Sequence, residues 1–333
     1  MAAALVGALL LAISLGSVSL PLGRTWTVIS AHLFGDPATL PPLDEQIVWR
    51  IRAPRVLLAA LVGAALATGG VVLQALVRNP LADPYVLGIS SGASLGAVLV
   101  IGAGSGVIGV GVGALGVSGG AFVGALATTV VVFALARRSG RLTGGRLTGG
   151  RLVLAGVAVG YLAMAGTSLV QLSLDPSSLR GMLFWLMGSV AGARWPTLGP
   201  PAAVMVVCAG WMLLRARALN ALSLGDDDAT ALGIAVPRLR TELLVVGSLL
   251  TASTVAAAGT VGFVGLMVPH AVRLVVGPDH RRLLPLSVLV GAVFVVLVDL
   301  ATRTVHPPEE YPITVFTAAL GAPFFLLLLR RQA

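Results

Sequence analysis

Lysine is absent from these 333 residues, and all 22 basic side chains are arginines. Without lysine there is no P-loop, whose lysine reaches the nucleotide phosphates, and no Schiff-base nucleophile. Any ATP-driven work therefore needs a partner chain. Cysteine occurs once, at Cys208, which excludes an internal disulfide and a cysteine-rich metal cage. His32, His270, His280 and His306 are scattered without metal-ligand spacing. No polar cluster deep in the apolar stretches suits catalysis, so the chain is expected to be no enzyme and to bind no cofactor or metal directly. Charge is scarce too: 11% of residues are charged, against about 25% in a soluble domain.

What remains is apolar, at 57% hydrophobic residues and a mean hydropathy of +0.98. At roughly 20 residues per crossing, the length admits about ten spans and leaves no room for a sizeable soluble domain. The net charge of +9 is explained by arginines at membrane borders rather than by nucleic acid. The expectation is an all-α integral membrane protein, one transmembrane domain over residues 1–333, with membrane lipid as its solvent.

Spans are expected near residues 1–22, 56–77, 84–104, 116–136, 152–174, 195–214, 240–258, 262–276, 283–303 and 311–329. The first has no positively charged region before its apolar core, so it reads as a retained helix rather than a cleaved signal. Residues 23–49 are polar and Pro-rich enough for an external loop. The uncharged stretch 84–136 is too long for one crossing and fits two, hinged in the Gly-rich segment near 102–120. The segment 243–270, with Gly259, Gly262, Gly265 and Pro269, falls short of two full crossings. Arginine parity favours two helices there, one short and broken. With both termini cytoplasmic, only Arg24, Arg50, Arg52, Arg55, Arg180, Arg194 and Arg303 lie outside and the other fifteen lie inside, as the positive-inside rule favours. The tandem run RLTGGRLTGGR (141–151) reads as a flexible linker.

Three segments hold the functional candidates. In WRIRAPR, Arg52 and Arg55 stand three apart at a helix start, with Pro54 where a first turn tolerates it. Cations at a helix N-terminus oppose the macrodipole, so they read either as interfacial anchors or as an outward-facing patch for an acidic partner. Arg303 adds a third charge on that side, and Asp299, four residues earlier, is placed to pair with it. The second segment, RNPLADPYVLGISSGASLGA (78–97), breaks its helix at Asn79-Pro80 and Asp83-Pro84. Its run of small residues then suits close helix packing. The third, 220–240, is the longest polar stretch on the cytoplasmic side. Asp226, Asp227 and Asp228 are set for a helix N-terminus, and a short amphipathic helix follows, with Ala229, Leu232 and Gly233 on a small-residue face and Pro237 as its stop. It reads as a surface helix or as a docking element for a groove on a cytoplasmic protein.

Together these segments resemble the FecCD family, permease subunits of ABC importers for iron–siderophore, haem and vitamin B12. The resemblance runs along nearly the whole chain. It includes RxPR at 52–55, the block 78–97, FWLMGS (184–189), LSLGDDDATALGI (222–234), GFVGLMVPHAVRLVVGPDHRRLLP (262–285) and DLATR to YPITVFTAALGAPFF (299–325). The LTGG repeat and Tyr311 depart from the family pattern. The resemblance implies a vitamin B12 importer permease-like fold of ten helices and a dimer with a second copy or paralogue, gated by the 152–174 helix and its neighbours. It implies that Arg52, Arg55 and Arg303 meet glutamates of an extracytoplasmic substrate-binding protein. It also implies that Leu224, Gly225, Asp226, Asp227, Ala229, Thr230, Leu232 and Gly233 form the coupling segment for two copies of an ATP-binding subunit, which uses ATP and Mg. The location would be the cytoplasmic (inner) membrane, and the favoured cargo is an iron–siderophore, with haem and vitamin B12 as alternatives. A competing reading is an ion-gradient-driven secondary transporter built from inverted repeats. Such a carrier usually needs more intramembrane ionisable groups than Asp299 and the border residue Glu242.

Overall fold

The computed structural model describes residues 1–16, 18–37, 40–104, 116–141 and 149–332. Among them the chain is helical, with no strand. The elements are α1 (Ala2–Ser14), α2 (Leu22–Phe34), α3 (Pro42–Glu45), a π-helical stretch (Gln46–Arg52), α4 (Ala53–Val77), a 3₁₀ turn (Pro84–Leu87), α5 (Ile89–Gly104) and α6 (Gly116–Arg141). They continue with α7 (Gly149–Gln171), α8 (Pro176–Leu186), α9 (Trp195–Leu214), α10 (Ala216–Leu224), α11 (Asp226–Ala231), α12 (Val236–Ala258), α13 (Val264–Val276), α14 (His280–Thr304) and α15 (Ile313–Gln332).

Six described helices are long and apolar enough to cross a membrane: Pro42–Val77, Gly116–Arg138, Gly149–Gln171, Trp195–Leu214, Val236–Ala258 and His280–Thr304. Four shorter apolar helices, Ala2–Ser14, Ile89–Ala103, Val264–Val276 and Ile313–Leu328, accompany them.

Several local expectations need correction. The stretch 23–49 is not a loop. It holds α2, α3 and the start of the π-helical stretch, so the helix expected from residue 56 begins at Pro42 and runs unbroken to Val77. The first helix ends at Ser14 rather than residue 22. Pro237 opens α12 in its first turn instead of closing the helix before it, where its missing N–H costs nothing. The polar region 175–187 contains α8, capped by Asp175 accepting from the Ser178 N–H at 2.8 Å. The expected glycine hinge falls largely, and the LTGG repeat mostly, outside the described residues.

α4 is the axis of the molecule, buried along most of its length against α12, α13 and α14. Its partners come close because glycines face glycines. A Cβ on Gly70 would stand 1.8 Å from the Gly265 carbonyl oxygen, and one on Gly63 would stand 2.0 Å from that of Gly291. The same device joins α5 to α6 through Gly92, Gly96, Gly120 and Gly124. Lipid tails are as apolar as leucine, so small-residue contact rather than burial of oily side chains holds such helices together. As expected, the two X-Pro steps end α4. Arg78 takes left-handed backbone angles (φ 55°), and the Asn79 N–H returns to the Gln74 carbonyl. The 3₁₀ turn that follows is pinned to the α12–α13 connection. Tyr85 Oη donates to the Val261 carbonyl at 3.1 Å and accepts from the Val261 N–H at 3.0 Å.

Candidate functional sites at the two ends of the bundle

Arg55 and Arg78 mark opposite ends of α4, about 35 Å apart at 1.5 Å per residue. Each end gathers charged side chains from distant parts of the sequence.

At the Arg55 end, α1 is only 13 residues long, about 20 Å against a hydrocarbon core of about 30 Å. Its last carbonyls have no intrahelical partner, and in an apolar setting each needs one. Arg52 and Arg303 supply them. Arg52 Nη1 donates to the carbonyls of Ile13 (2.9 Å) and Ser14 (2.8 Å), and its Nη2 donates to Val18. Arg303 Nη1 donates to Leu15 at 2.7 Å and its Nη2 to Ala12. Gly16 leaves room for both heads, since a Cβ there would meet Arg52 Nη2 at 2.9 Å and Arg303 Nη1 at 3.1 Å. The π-helical stretch that ends at Arg52 sits against α1 and α2. Such distortions recur at functional positions.

Asp299 ties the cluster together. Its Oδ1 accepts from Arg55 Nε at 2.9 Å, and its Oδ2 forms the expected ion pair with Arg303 at 3.3 Å. Arg55 also reaches Glu310 Oε1 at 2.9 Å. Asp299 has no exposed surface, and Arg52, Arg55 and Arg303 are 5–7% exposed. The three arginines therefore form a buried structural cluster in this chain, not an open patch. Cations at the start of α4 oppose its dipole, but two of the three complement the C-terminal end of α1. That compensation was invisible in sequence because residues 12–18 and 303 are far apart. Exposed charges at this end include Arg50, which pairs with Glu45 at 3.1 Å, Glu309 and the half-exposed Glu310.

At the opposite end, α10 and α11 form a tight helical pair with Gly225 between them at φ 135°. The three aspartates occupy the first turn of α11 as expected. Asp226 accepts from Arg240 Nη2 of α12 at 2.9 Å and lies 3.7 Å from Arg78 Nη1. Thr230 Oγ1 donates back to the Asp226 carbonyl at 2.7 Å, and Gly233 closes the element at φ 82° with its N–H on the Thr230 carbonyl. Ala229 is fully buried, whereas Leu224 and Leu232 are 66% and 64% exposed. Asp227 also faces outward. The segment is thus anchored by Ala229 and Asp226 and presents two exposed leucines.

Sequence reading missed the contact that holds this pair to the bundle. Asn220 of α10 donates through Nδ2 to Asp279 Oδ1 at 2.6 Å, and its Oδ1 accepts from the His280 N–H at 2.9 Å. Asp279 caps α14, accepting from the Arg281 N–H at 3.1 Å. Asn220, then the Arg281 N–H, hold the Asp279 carboxyl below the usual carboxylate range. Among the described residues no group of His, Cys, Asp and Glu could hold a metal.

Comparison with known proteins gives the chain's family. The model of the FecCD transport family matches residues 4–331. The chain is 44% identical over 291 residues to the cobalamin import system permease protein BtuC of Halobacterium salinarum, covering 87% of this chain and 75% of that one. It is 41% identical over 287 residues to the hemin transport system permease protein HmuU of Yersinia pestis, covering 86% and 84%. A solved inward-facing structure of a metal-chelate type ABC transporter superposes with a TM-score of 0.82 at 32% identity, covering 99% of this chain and 97% of that one. A multi-pass helical chain with its two charged ends, matched from residue 4 to residue 331, belongs to the FecCD transport family of ABC permeases.

Proposed function

We propose that this chain is the permease subunit of an ATP-driven importer that carries a bulky metal chelate across the cytoplasmic membrane. Iron–siderophore, haem and vitamin B12 are the cargo classes. The ten apolar helices would make ten crossings with both termini cytoplasmic, and a second copy or paralogue would complete the pathway. The permease itself performs no covalent chemistry, and with no lysine in the chain nucleotide work falls to two partner subunits using ATP and Mg.

The observation that carries this reading is the anchored α10–α11 pair with Leu224 and Leu232 left exposed. Two apolar side chains flanking a short helix are the anchors a groove-type partner recognises, and here they belong to the segment Leu224, Gly225, Asp226, Asp227, Ala229, Thr230, Leu232 and Gly233. Closure of the ATPase dimer would push this segment. Through Asp226–Arg240 and Asn220–Asp279 the push reaches α12 and α14, and α7 with its neighbours would swap the opening. The exposed apolar face of α7, including Leu154, Leu162 and Leu169 at 68–73%, suits a partner copy across the pathway.

At the other end a loaded binding protein would dock. A role for Arg52, Arg55 and Arg303 there requires the binding protein's acids to compete with Asp299, Glu310 and the α1 carbonyls, and Arg55, through half-exposed Glu310, is the nearest to hand. The test is reconstitution with a candidate ATPase subunit and a candidate binding protein. Uptake of defined iron chelates, haem and cobalamin should stop on ATP depletion and survive a proton ionophore. Uptake by the purified chain alone under an ion gradient would overturn the proposal in favour of a secondary transporter.

A further inference from the structure

At the end of the bundle that carries α10 and α11, a cavity of about 240 Å³ opens between the last turn of α4 and the start of α14. That is several times the volume share of one water, about 30 Å³. Gln74, Arg78, Ser223, Arg273 and His280 supply its polar wall.

That wall is rich in unused hydrogen-bonding capacity. Arg273 Nη1 and His280 Nε2 are both shut off from solvent without a partner, as is Gln74 Oε1. The orientation of His280 is determined by its neighbours. The Asn220 amide cannot be reversed, because its Nδ2 meets the acceptor Asp279 Oδ1 and its Oδ1 meets the His280 backbone N–H. His280 Nδ1 is therefore the donor to Asn220 Oδ1 at 2.8 Å, and Nε2 is the edge left over. Buried polar atoms are almost always paired, and of these three Arg273 Nη1 is the donor that an anion entering the cavity would satisfy.

The charge balance specifies the sign. Asp226 serves both Arg240 and, at 3.7 Å, Arg78. Asp279 is engaged by Asn220 and by the Arg281 N–H. The cavity keeps a surplus of guanidinium charge from Arg78 and Arg273. Directly after Arg273, Leu274 and Val275 are 63% and 84% exposed, so apolar surface adjoins the cationic one. Basic pockets between helices at the cytoplasmic border are where anionic headgroups bind.

We propose that this cavity binds a phosphoryl anion through the guanidinium groups of Arg273 and Arg78, and that the phosphate of an anionic phospholipid fills it in the membrane. Ser223 of α10 forms part of the wall, so occupancy links α10 to α4, α13 and α14. The site stands whether or not α10 and α11 dock an ATPase.

The experiment uses the delipidated full chain in neutral detergent and follows its thermal midpoint with added phosphatidylglycerol, phosphatidylcholine or inorganic phosphate at matched ionic strength. Phosphatidylglycerol should raise the midpoint and phosphatidylcholine should not. Arg273→Gln should weaken the apparent affinity about tenfold, the scale of one charge-assisted hydrogen bond, while Arg281→Gln on the exposed surface leaves it unchanged. An Arg273-dependent response to inorganic phosphate but not to phosphatidylglycerol keeps the anion site and overturns the lipid as its source. A phosphatidylglycerol response that survives Arg273→Gln, or no response to either anion, overturns the site. If Arg273→Gln is not recovered folded, Arg78→Gln on the half-exposed rim gives the same readout.

Discussion

Replacing Asp299 by Asn keeps the shape of the side chain and removes the one fully buried negative charge of the arginine cluster at the Arg55 end. The wild-type cluster sets three guanidinium groups against two carboxylates, Asp299 and Glu310. The variant leaves three against one, and that one, Glu310, is 44% exposed. The new amide nitrogen would also face either Arg55 or Arg303, a donor against a donor. Unpairing a buried ion pair from one side costs about 3–5 kcal/mol. Glu310→Gln, acting on a half-exposed pair, should cost about 0.2–1 kcal/mol. Unfolding free energies of the two variants, measured in mixed micelles against a rising fraction of denaturing detergent, should differ by about 2 kcal/mol or more. A cost below about 1 kcal/mol for Asp299→Asn, or an equal cost for the two variants, would refute the claim that Asp299 is the counterion on which the arginine cluster rests.

Other substitutions test the remaining links. Arg52→Gln removes the donors to the carbonyls of Ile13, Ser14 and Val18, so limited proteolysis should cut after α1 faster than in wild type, while Arg50→Gln should not change the pattern. Gly70→Ala places a methyl group 1.8 Å from the Gly265 carbonyl oxygen. It should destabilise by about 1–3 kcal/mol or more through overpacking, whereas Gly210→Ala, with nothing within 4 Å, should be neutral in the same assay. Leu232→Glu together with Leu224→Glu should abolish co-purification with the ATPase subunit and leave the thermal midpoint within a few degrees. Retained co-purification would remove these leucines from the interface.

The two ends of the molecule explain why the substitutions should behave so differently. At the Arg55 end polar groups are enclosed, so each change strands a partner in a medium with no water to replace it. At the α10–α11 end the anchoring atoms are enclosed but Leu224 and Leu232 are open, so their loss should be felt by a partner rather than by the fold.

Low charge pointed to a membrane protein, and unbroken apolar runs of about 20 residues pointed to helices as the way to satisfy the backbone there. Local chemistry was equally legible where neighbours in sequence settle it: the break after Val77 at two X-Pro steps, the three aspartates at the start of α11, and the Asp299–Arg303 pair one helical turn apart. Tertiary structure decided what Arg52, Arg55 and Arg303 touch within the chain. Nothing near Arg52 or Arg303 in sequence shows that α1 stops at Ser14 and presents its last carbonyls to them, so their burial was unreadable. The pairing of Gly70 with Gly265 and the network of Asn220 with Asp279 and His280 were hidden for the same reason. Each depends on atoms dozens to hundreds of residues apart, brought together only when the glycine-lined helices close on α4.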